Sequence, residues 1–407
     1  MKTAGHWRVA LALLPALIGT AACGTGGTPE AGEAVYGRPL AEQFRAATEV
    51  TQQAGTARFV STLTYSTPDA EAVHRTTGSQ DYAGRTSDVT LTLRVPTDFP
   101  EGAAKFLGEP GKSIQQILAT TADDVYFRRD ASSWLRYTPG AFNKLGDPTS
   151  ELAAHAAGEA APYSGTLADL VPRTIPREQP KREADGSRVY QVTALQEMAA
   201  ELLPPALRVA GNDWGSAPVE MTVRLNAEVR LTAVRADLGP VLESLHKHKI
   251  LVGVTRLHAS YSLSDFGAPL QHETPSRGVE DAEKVLAPLG TLKGGQCAAF
   301  DTGLAARTVV RPVDCAHRPD IRVYAQVSVD RAFPGQKALT DGREYAREQC
   351  DEAYTDAPKH WVRDTRRPGR YAFAGSSSVS VHHGAEGTKT LLTGDYTCYV
   401  ITPGSGK

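Results

Sequence analysis

The chain of 407 residues has no apolar run approaching the ~18 residues that mark a transmembrane helix. Its most apolar stretch, Val9 to Ala22, has 14 residues without charge. As a helix that stretch would be roughly 21 Å long, short of the ~30 Å hydrocarbon core, and Pro15 weakens it further. Excess positive charge is also missing. The formal net charge is −2, and removing residues 1–22 takes away Lys2 and Arg8 but no acid. Nucleic acid, which calls for a strongly basic face, is therefore excluded as a partner, and so is an anionic membrane held by charge alone. Cysteine is absent between Cys23 and Cys297, and no C-x-x-C pair occurs. The gaps between Cys297, Cys315, Cys350 and Cys398 do not suit a zinc site. No G-x-S-x-G elbow and no phosphate loop is present; the glycines after Cys23 lack the lysine that such a loop needs.

What remains is ordinary globular composition, 41% hydrophobic and 22% charged, with length for two or three domains. The N-terminus has a short basic head (Lys2, His6, Arg8), the apolar run, and small residues before Cys23. That is the layout of a signal peptide over residues 1–22. Thr20 and Ala22 are small enough for ordinary signal peptidase. "TAAC" also resembles a bacterial lipobox, with Thr20 standing where leucine is usual; the resemblance implies that Cys23 carries a diacylglyceryl group. Assigning Cys23 to lipid leaves an even number of thiols downstream. Residues 23–38 are then a flexible tether, opening with Gly24, Thr25, Gly26, Gly27 and Thr28. The expected location is the extracytoplasmic face of the cell membrane.

Leu40, Phe44, Ala47, Thr51 and Ala54 form one helical stripe between Pro39 and Gly55. Alternating strands follow: Phe59, Leu63 and Tyr65; Val89, Leu91, Leu93 and Val95; Val219, Met221, Val223 and Leu225; Val229 and Leu231; and Leu257, Ala259, Tyr261 and Leu263. Period-two alternation predicts a sheet with one apolar face. "DDVYFRR" and "SSWLRY" predict a hairpin around Asp130-Ala131. Residues 142–159 are rich in Ala, Leu and Glu and predict a helix. Thr193 to Gln196 has the spacing of a capping box before "EMAAELL", which Pro204-Pro205 stops. The expected fold class is α+β: a curved antiparallel sheet with helices on one side, then a smaller α+β domain.

From "TARFVSTLTY" through "VYFRRDASSWLRY" to "ASYSLSDFGAPLQHETP", roughly residues 39–275, with the domain itself over 39–268, resemble the actinobacterial lipoproteins related to mycobacterial LppX, LprG and LprA, within the LolA-like half-barrel superfamily. The resemblance implies a half-barrel closed by helices around an apolar cavity. Leu63, Leu91, Leu93, Val223 and Leu231 would line that cavity; alternatively, they fill a dry core. Pro269, Pro275 and Pro288, with Gly267 and Gly278, predict a linker over 269–288 with one helical turn. Residues 289–402 carry Cys297 in "GGQC", Cys315 after "RPVD", Cys350 in "REQC" and Cys398 in "DYTC". They resemble the septum-formation-type domain of actinobacterial membrane proteins, with Trp361 displaced from that family's usual place near its last cysteine. In an oxidising compartment the four thiols favour disulfides, and the resemblance implies the pairs Cys297–Cys315 and Cys350–Cys398.

Other candidates for chemistry are sparse. His246 and His248 would share a face of a strand and could hold a metal, but Lys247 and Lys249 oppose it and no third ligand adjoins. His382-His383 diverge if extended. Asp123-Asp124 suit a turn. Ser378 and Ser380 suit an exposed strand, and His317 with Asp320 suits a structural hydrogen bond. No catalytic residue, metal or cofactor is assigned. The expected function is a membrane-anchored, non-enzymatic lipoprotein binding a lipid or other apolar ligand. The alternatives are an envelope or division-related protein-interaction module and, behind it, a metal-dependent hydrolase.

Overall fold

The structure, a computed structural model of the chain, describes residues 33–129, 132–145, 166–208, 214–270, 274–300, 308–317, 319–339, 341–362, 372–384 and 387–402. Cys23 and the expected signal peptide lie outside these residues, as do Asp130-Ala131 and most of the helix expected over 142–159.

Helix α1 (Glu33–Tyr36) leads into α2 (Leu40–Gln53), whose buried stripe is Phe44, Ala47 and Thr51. Pro39 sets the first turn, and Gly55, at φ +82°, turns the chain into the sheet. The strands follow as β1 (Thr56–Ser66), β2 (Glu71–Asp81), β3 (Thr86–Arg94), β4 (Ser113–Thr120), β5 (Val125–Arg128) and β6 (Trp134–Tyr137). Helix α3 (Glu101–Leu107) lies between β3 and β4, and α4 (Pro139–Leu145) follows β6. Next come β7 (Ile175–Pro176), β8 (Lys181–Arg182), β9 (Arg188–Ala194), β10 (Val219–Leu225), β11 (Leu231–Asp237) and β12 (Arg256–Ser264). With β13 (Val279–Asp281) they form a 13-stranded sheet ordered β13-β6-β5-β4-β3-β2-β1-β12-β11-β10-β9-β7, with β8 beside β9. Only β13 runs parallel to its neighbour. The sheet stays open, a half-barrel with β13 at one end and β7 at the other.

The alternation seen in the sequence decides which face is covered. Ala57, Phe59, Leu63 and Tyr65 on β1, Val89 and Leu91 on β3, Tyr190 and Val192 on β9, and Leu257, Ala259, Tyr261 and Leu263 on β12 are all buried in one large cluster. Three local expectations change. Thr193 lies within β9 instead of capping a helix; Leu195 is the N-cap, and the Gln196 side chain donates to Ser244 Oγ at 2.8 Å. The "HKHK" run is helical, because Pro240 and the apolar Val241, Leu242 and Leu245 start a helix, Gly239–Lys247, that buries one stripe. The stretch expected as a linker joins the large body. β13 pairs with β6, the helical turn Ala282–Val285 follows, and Ala282 and Leu286 are buried in the large cluster. Their apolar side chains gain more by burial than an exposed linker would allow.

The second sheet has six strands: β14 (Ala287–Pro288), β15 (Cys297–Ala299), β16 (Val309–Val313), β17 (Ile321–Pro334), β18 (Ala372–Gly384) and β19 (Gly387–Ile401), ordered β14-β16-β15-β17-β19-β18. Helix Arg343–Asp356 packs on β17 and β18. Cys297 is bonded to Cys315 with Cα atoms 5.2 Å apart, and Cys350 to Cys398 at 5.7 Å. The second bond ties the helix to β19. Trp361 packs beside it, its ring against Gly295, where a Cβ would stand 2.7 Å from the ring. At the seam between the two sheets, Glu280 accepts from Arg129 of the half-barrel and from Arg311 of β16, the latter at 3.1 Å.

Candidate functional site

The inner, apolar face of the large sheet gathers all five expected cavity residues, but in two different settings. Val223 and Leu231 are fully buried. They sit on the half of the sheet, β9 to β12, that α2 and the helices Leu167–Leu170 and Gly239–Lys247 cover. Phe44 of α2 meets Tyr190 edge-on at 4.9 Å, and the Leu231 backbone N–H donates to Thr51 Oγ1 at 2.9 Å. Helix Leu167–Leu170 lies on β11 and β12, and helix Gly239–Lys247 on β10 and β12. Beneath α2 and helix Gly239–Lys247 this half is close-packed core, and helix Leu167–Leu170 lies at its border with the central strands.

Leu63 and Leu91 are buried on the central strands, and Leu93 is only half-buried. β3 and β4 pair Val89 with Leu118, Leu91 with Gln116 and Leu93 with Ile114, so these residues share the inner face. Going along that row, exposure rises from none at Leu118 to 51% at Ile114. The turn at Gly108 closes in beside Leu93 and Ile114, and the half-buried Phe106 packs against the same cluster. Large apolar side chains on the inner face of a sheet, yet open to solvent, form a lip rather than a filled core. Leu91 and Leu93 were visible in the alternation; Leu118 was not singled out. Ile114 was missed, because "SIQQILAT" breaks the alternation with Gln115 and Gln116.

Deeper along the same face, Leu63, Thr76 and Ala259 form the floor of a void of about 20 Å³ roofed by Leu167 and Leu202. That volume holds about one water. The surroundings are mixed in polarity: Ser61, His74 and Thr166 also line it. Two neighbouring buried pairs are hydrogen-bonded, while Gln80 Oε1 and Thr166 Oγ1 find no hydrogen-bond partner. Gln80 donates to the Tyr261 hydroxyl at 3.0 Å, and Ser87 and Thr120 share a hydrogen bond at 2.7 Å. Burial drives the Tyr261 phenol far above its ordinary pKa, so it stays neutral and gives the face no charge.

Two larger hollows, about 340 and 840 Å³, lie on the outer face. Thr64, Thr222, Arg235 and Asp237 help line the first; Arg58, Ser79, Asp88 and Thr90 help line the second. Volume alone would favour them, but such linings solvate polar groups and offer little to an acyl chain.

The candidates for catalysis are scattered. His246 lies in the last turn of its helix with Nε2 3.2 Å from the Leu251 carbonyl, and His248 is the C-cap. Two positions apart on a helix, they do not converge. Asp320 accepts the Phe300 backbone N–H at 2.8 Å, while His317 is exposed beside Asp314. Asp124 closes a turn with Thr121. His382 and His383 bond separately to Ser380 and Thr388. Among the described residues no three of His, Cys, Asp and Glu cluster in a way that could hold a metal, and no helix is long and apolar enough to cross a membrane.

Fold and site together define an α+β half-barrel with an apolar inner face, followed by a disulfide-linked second sheet. No family model matches the chain, and no curated protein does. Among solved structures it is similar to LprF from Mycobacterium bovis, at 12% identity and a TM-score of 0.32, over 58% of this chain and 97% of that one. It is similar to the lipoprotein LppX of Mycobacterium tuberculosis at 10% identity and 0.31, over 57% and 97%. It is also similar to the MucA/MucB complex of Pseudomonas aeruginosa at 9% identity and 0.24, over 88% and 93%. At such identities these likenesses concern the fold and carry no argument about activity.

Proposed function

We propose that the chain is an extracytoplasmic lipoprotein, anchored through Cys23, that receives a lipid or other apolar ligand on the inner face of its half-barrel, residues 39–268. The carrying observation is the Leu93–Ile114 pair, facing inward and open to solvent. Removing such side chains from water is worth about 25 cal/mol per Å² of apolar surface, which an acyl chain laid along the row supplies. The void beneath Leu167 and Leu202 is the inward continuation of that path. Its roof rests on helices of only 4 and 5 residues, Leu167–Leu170 and Gln196–Ala200, with Leu202 just beyond the second. Short helices gain little from their own backbone bonds and are held mainly by packing, so lifting them to admit a chain costs less than moving α2. Catalysis and a cofactor have no place in this reading, and residues 289–402 serve as an appended domain.

The test uses full chain extracted from membranes in mild detergent, followed by mass spectrometry of its non-covalently held lipids. Wild type is expected to carry a defined lipid. Ile114→Asp with Leu93→Asp is expected to lose it while keeping the wild-type melting temperature to within a few degrees. Wild type free of lipid, or a double variant that retains it unchanged, would overturn the proposal. The first outcome would return the chain to the alternative of an interaction module.

A further inference from the structure

Among the described residues, three of the four outer edges of the two sheets are blunted. β13 has 3 residues and carries Glu280 and Asp281; β7 has 2 and ends in Pro176; β14 has 2 and ends in Pro288. Short length, charge and proline are the devices that stop an edge from pairing with another strand. The fourth edge, β18, has none of them. It runs 13 residues, Ala372–Gly384, without Asp, Glu, Lys, Arg or Pro. Its register with β19 is continuous from Ala372 opposite Tyr399 to Gly384 opposite Gly387, with no bulge to twist it away. From Gly375 onward every residue is exposed except the half-buried Ser377 and Val379.

We infer that β18 is an interface for a second copy of this chain, joined antiparallel across a two-fold axis at Ser378. The absence of formal charge leaves nothing to select a charged partner and nothing to repel an identical one. About the Ser378 axis, Ser376 faces Ser380 of the second copy, Ser377 faces Val379, and Gly375 faces Val381. Serine pairs of this kind hydrogen-bond across strands. Val381, 38% exposed in the single chain, gains cover on its neighbour. The axis stands perpendicular to the sheet, so the faces are preserved. Ser377, which accepts from the Gly342 N–H, lies on the side of helix Arg343–Asp356, and Ser378, bonded to Thr393, on the solvent side. Two six-stranded sheets become one continuous sheet with both helices on the same face, and the contact is isologous as a closed dimer requires.

The test is independent of any ligand. Full chain in detergent is followed by sedimentation velocity from about 1 to 100 µM. Wild type is expected to show a concentration-dependent dimer. Ser378→Lys, at an exposed position that does not disturb folding, is expected to stay monomeric because it sets like charges face to face. Ser378→Cys is expected to cross-link into disulfide dimers in membranes on a non-reducing gel, whereas Ser262→Cys on the outer face of the large sheet, and wild type as the control for Cys23, are not. A monomer at all concentrations without Ser378→Cys cross-links overturns the inference. So does a dimer indifferent to Ser378→Lys, or a monomer that binds a different protein along β18.

Discussion

Truncating Leu231 and Leu93 to alanine separates the packed half of the inner face from the open half. Leu231 is fully buried beneath α2, with Thr51 fixed over its backbone N–H. Leu231→Ala removes three carbon groups, worth about 2.4 kcal/mol at ~0.8 kcal/mol each. The cavity adds to this, since α2 is held by Phe44 and Tyr190 and does not readily follow; the expected total is about 3 kcal/mol, within the 2–5 seen for such truncations. For a body of this size that lowers the melting temperature by roughly 6–12 °C. Leu93 is half-buried and borders open space, so Leu93→Ala should cost about 1 kcal/mol or less, while lipid recovery falls. Differential scanning calorimetry of delipidated protein, with extraction of the native form, reads both effects. If Leu231→Ala shifts the transition by less than 2 °C, the site beneath α2 is already hollow. The division into a packed and an open half is then wrong.

Three further outcomes are expected. Cys350→Ser with Cys398→Ser frees a 48-residue separation and should cost the second sheet about 4 kcal/mol in the chain-entropy picture; calorimetry should show its transition fall while that of the half-barrel holds. At the seam, Lys284 first and Arg136 next hold the Asp281 carboxyl below its ordinary pKa. The lowered folded-state value means this stability is present above the unfolded pKa near 3.8 and is lost as pH falls through the folded value; Asp281→Asn should flatten the acid limb of a Tm-against-pH curve, and an unchanged limb would assign it to other carboxylates. Cys23→Ser should move the chain from the membrane pellet to the soluble fraction after cell breakage, and a variant that stays in the pellet contradicts anchoring through that residue.

Much of the inner face was legible because the strand period is two and a buried face admits few polar residues. Phe59, Leu63, Val89, Leu91, Val223 and Tyr261 declared their direction by alternation alone. What covers them did not follow, because that depends on contacts between residues far apart. Thr51 meets Leu231 across 180 positions of sequence, and β13 meets β6 across more than 140. The misread segments share a cause. Thr193 and Gln196 have capping-box spacing, but the strand pairing of Thr193 with Glu220 claims the backbone first. His246 and His248 look like strand neighbours until Pro240 and the Val241–Leu245 stripe are counted as a helix.

The packed and open halves need not compete as readings of the sheet. A face wholly covered by helices would have no route in, and a face wholly bare would expose more apolar surface than a monomeric protein normally shows. Here α2 and the helix Gly239–Lys247 cover β9 to β12, and they supply the fixed wall against which a movable roof can work. The roof is short, the void beneath it is small, and the lip at Ile114 is open. A rigid half adjoining a loosely covered half is what reversible uptake requires, because the ligand's burial energy has to be returned on release. In the proposed reading specificity falls to Leu63, Leu91, Leu93 and Ile114 and stability to Val223 and Leu231, although all six lie on one face.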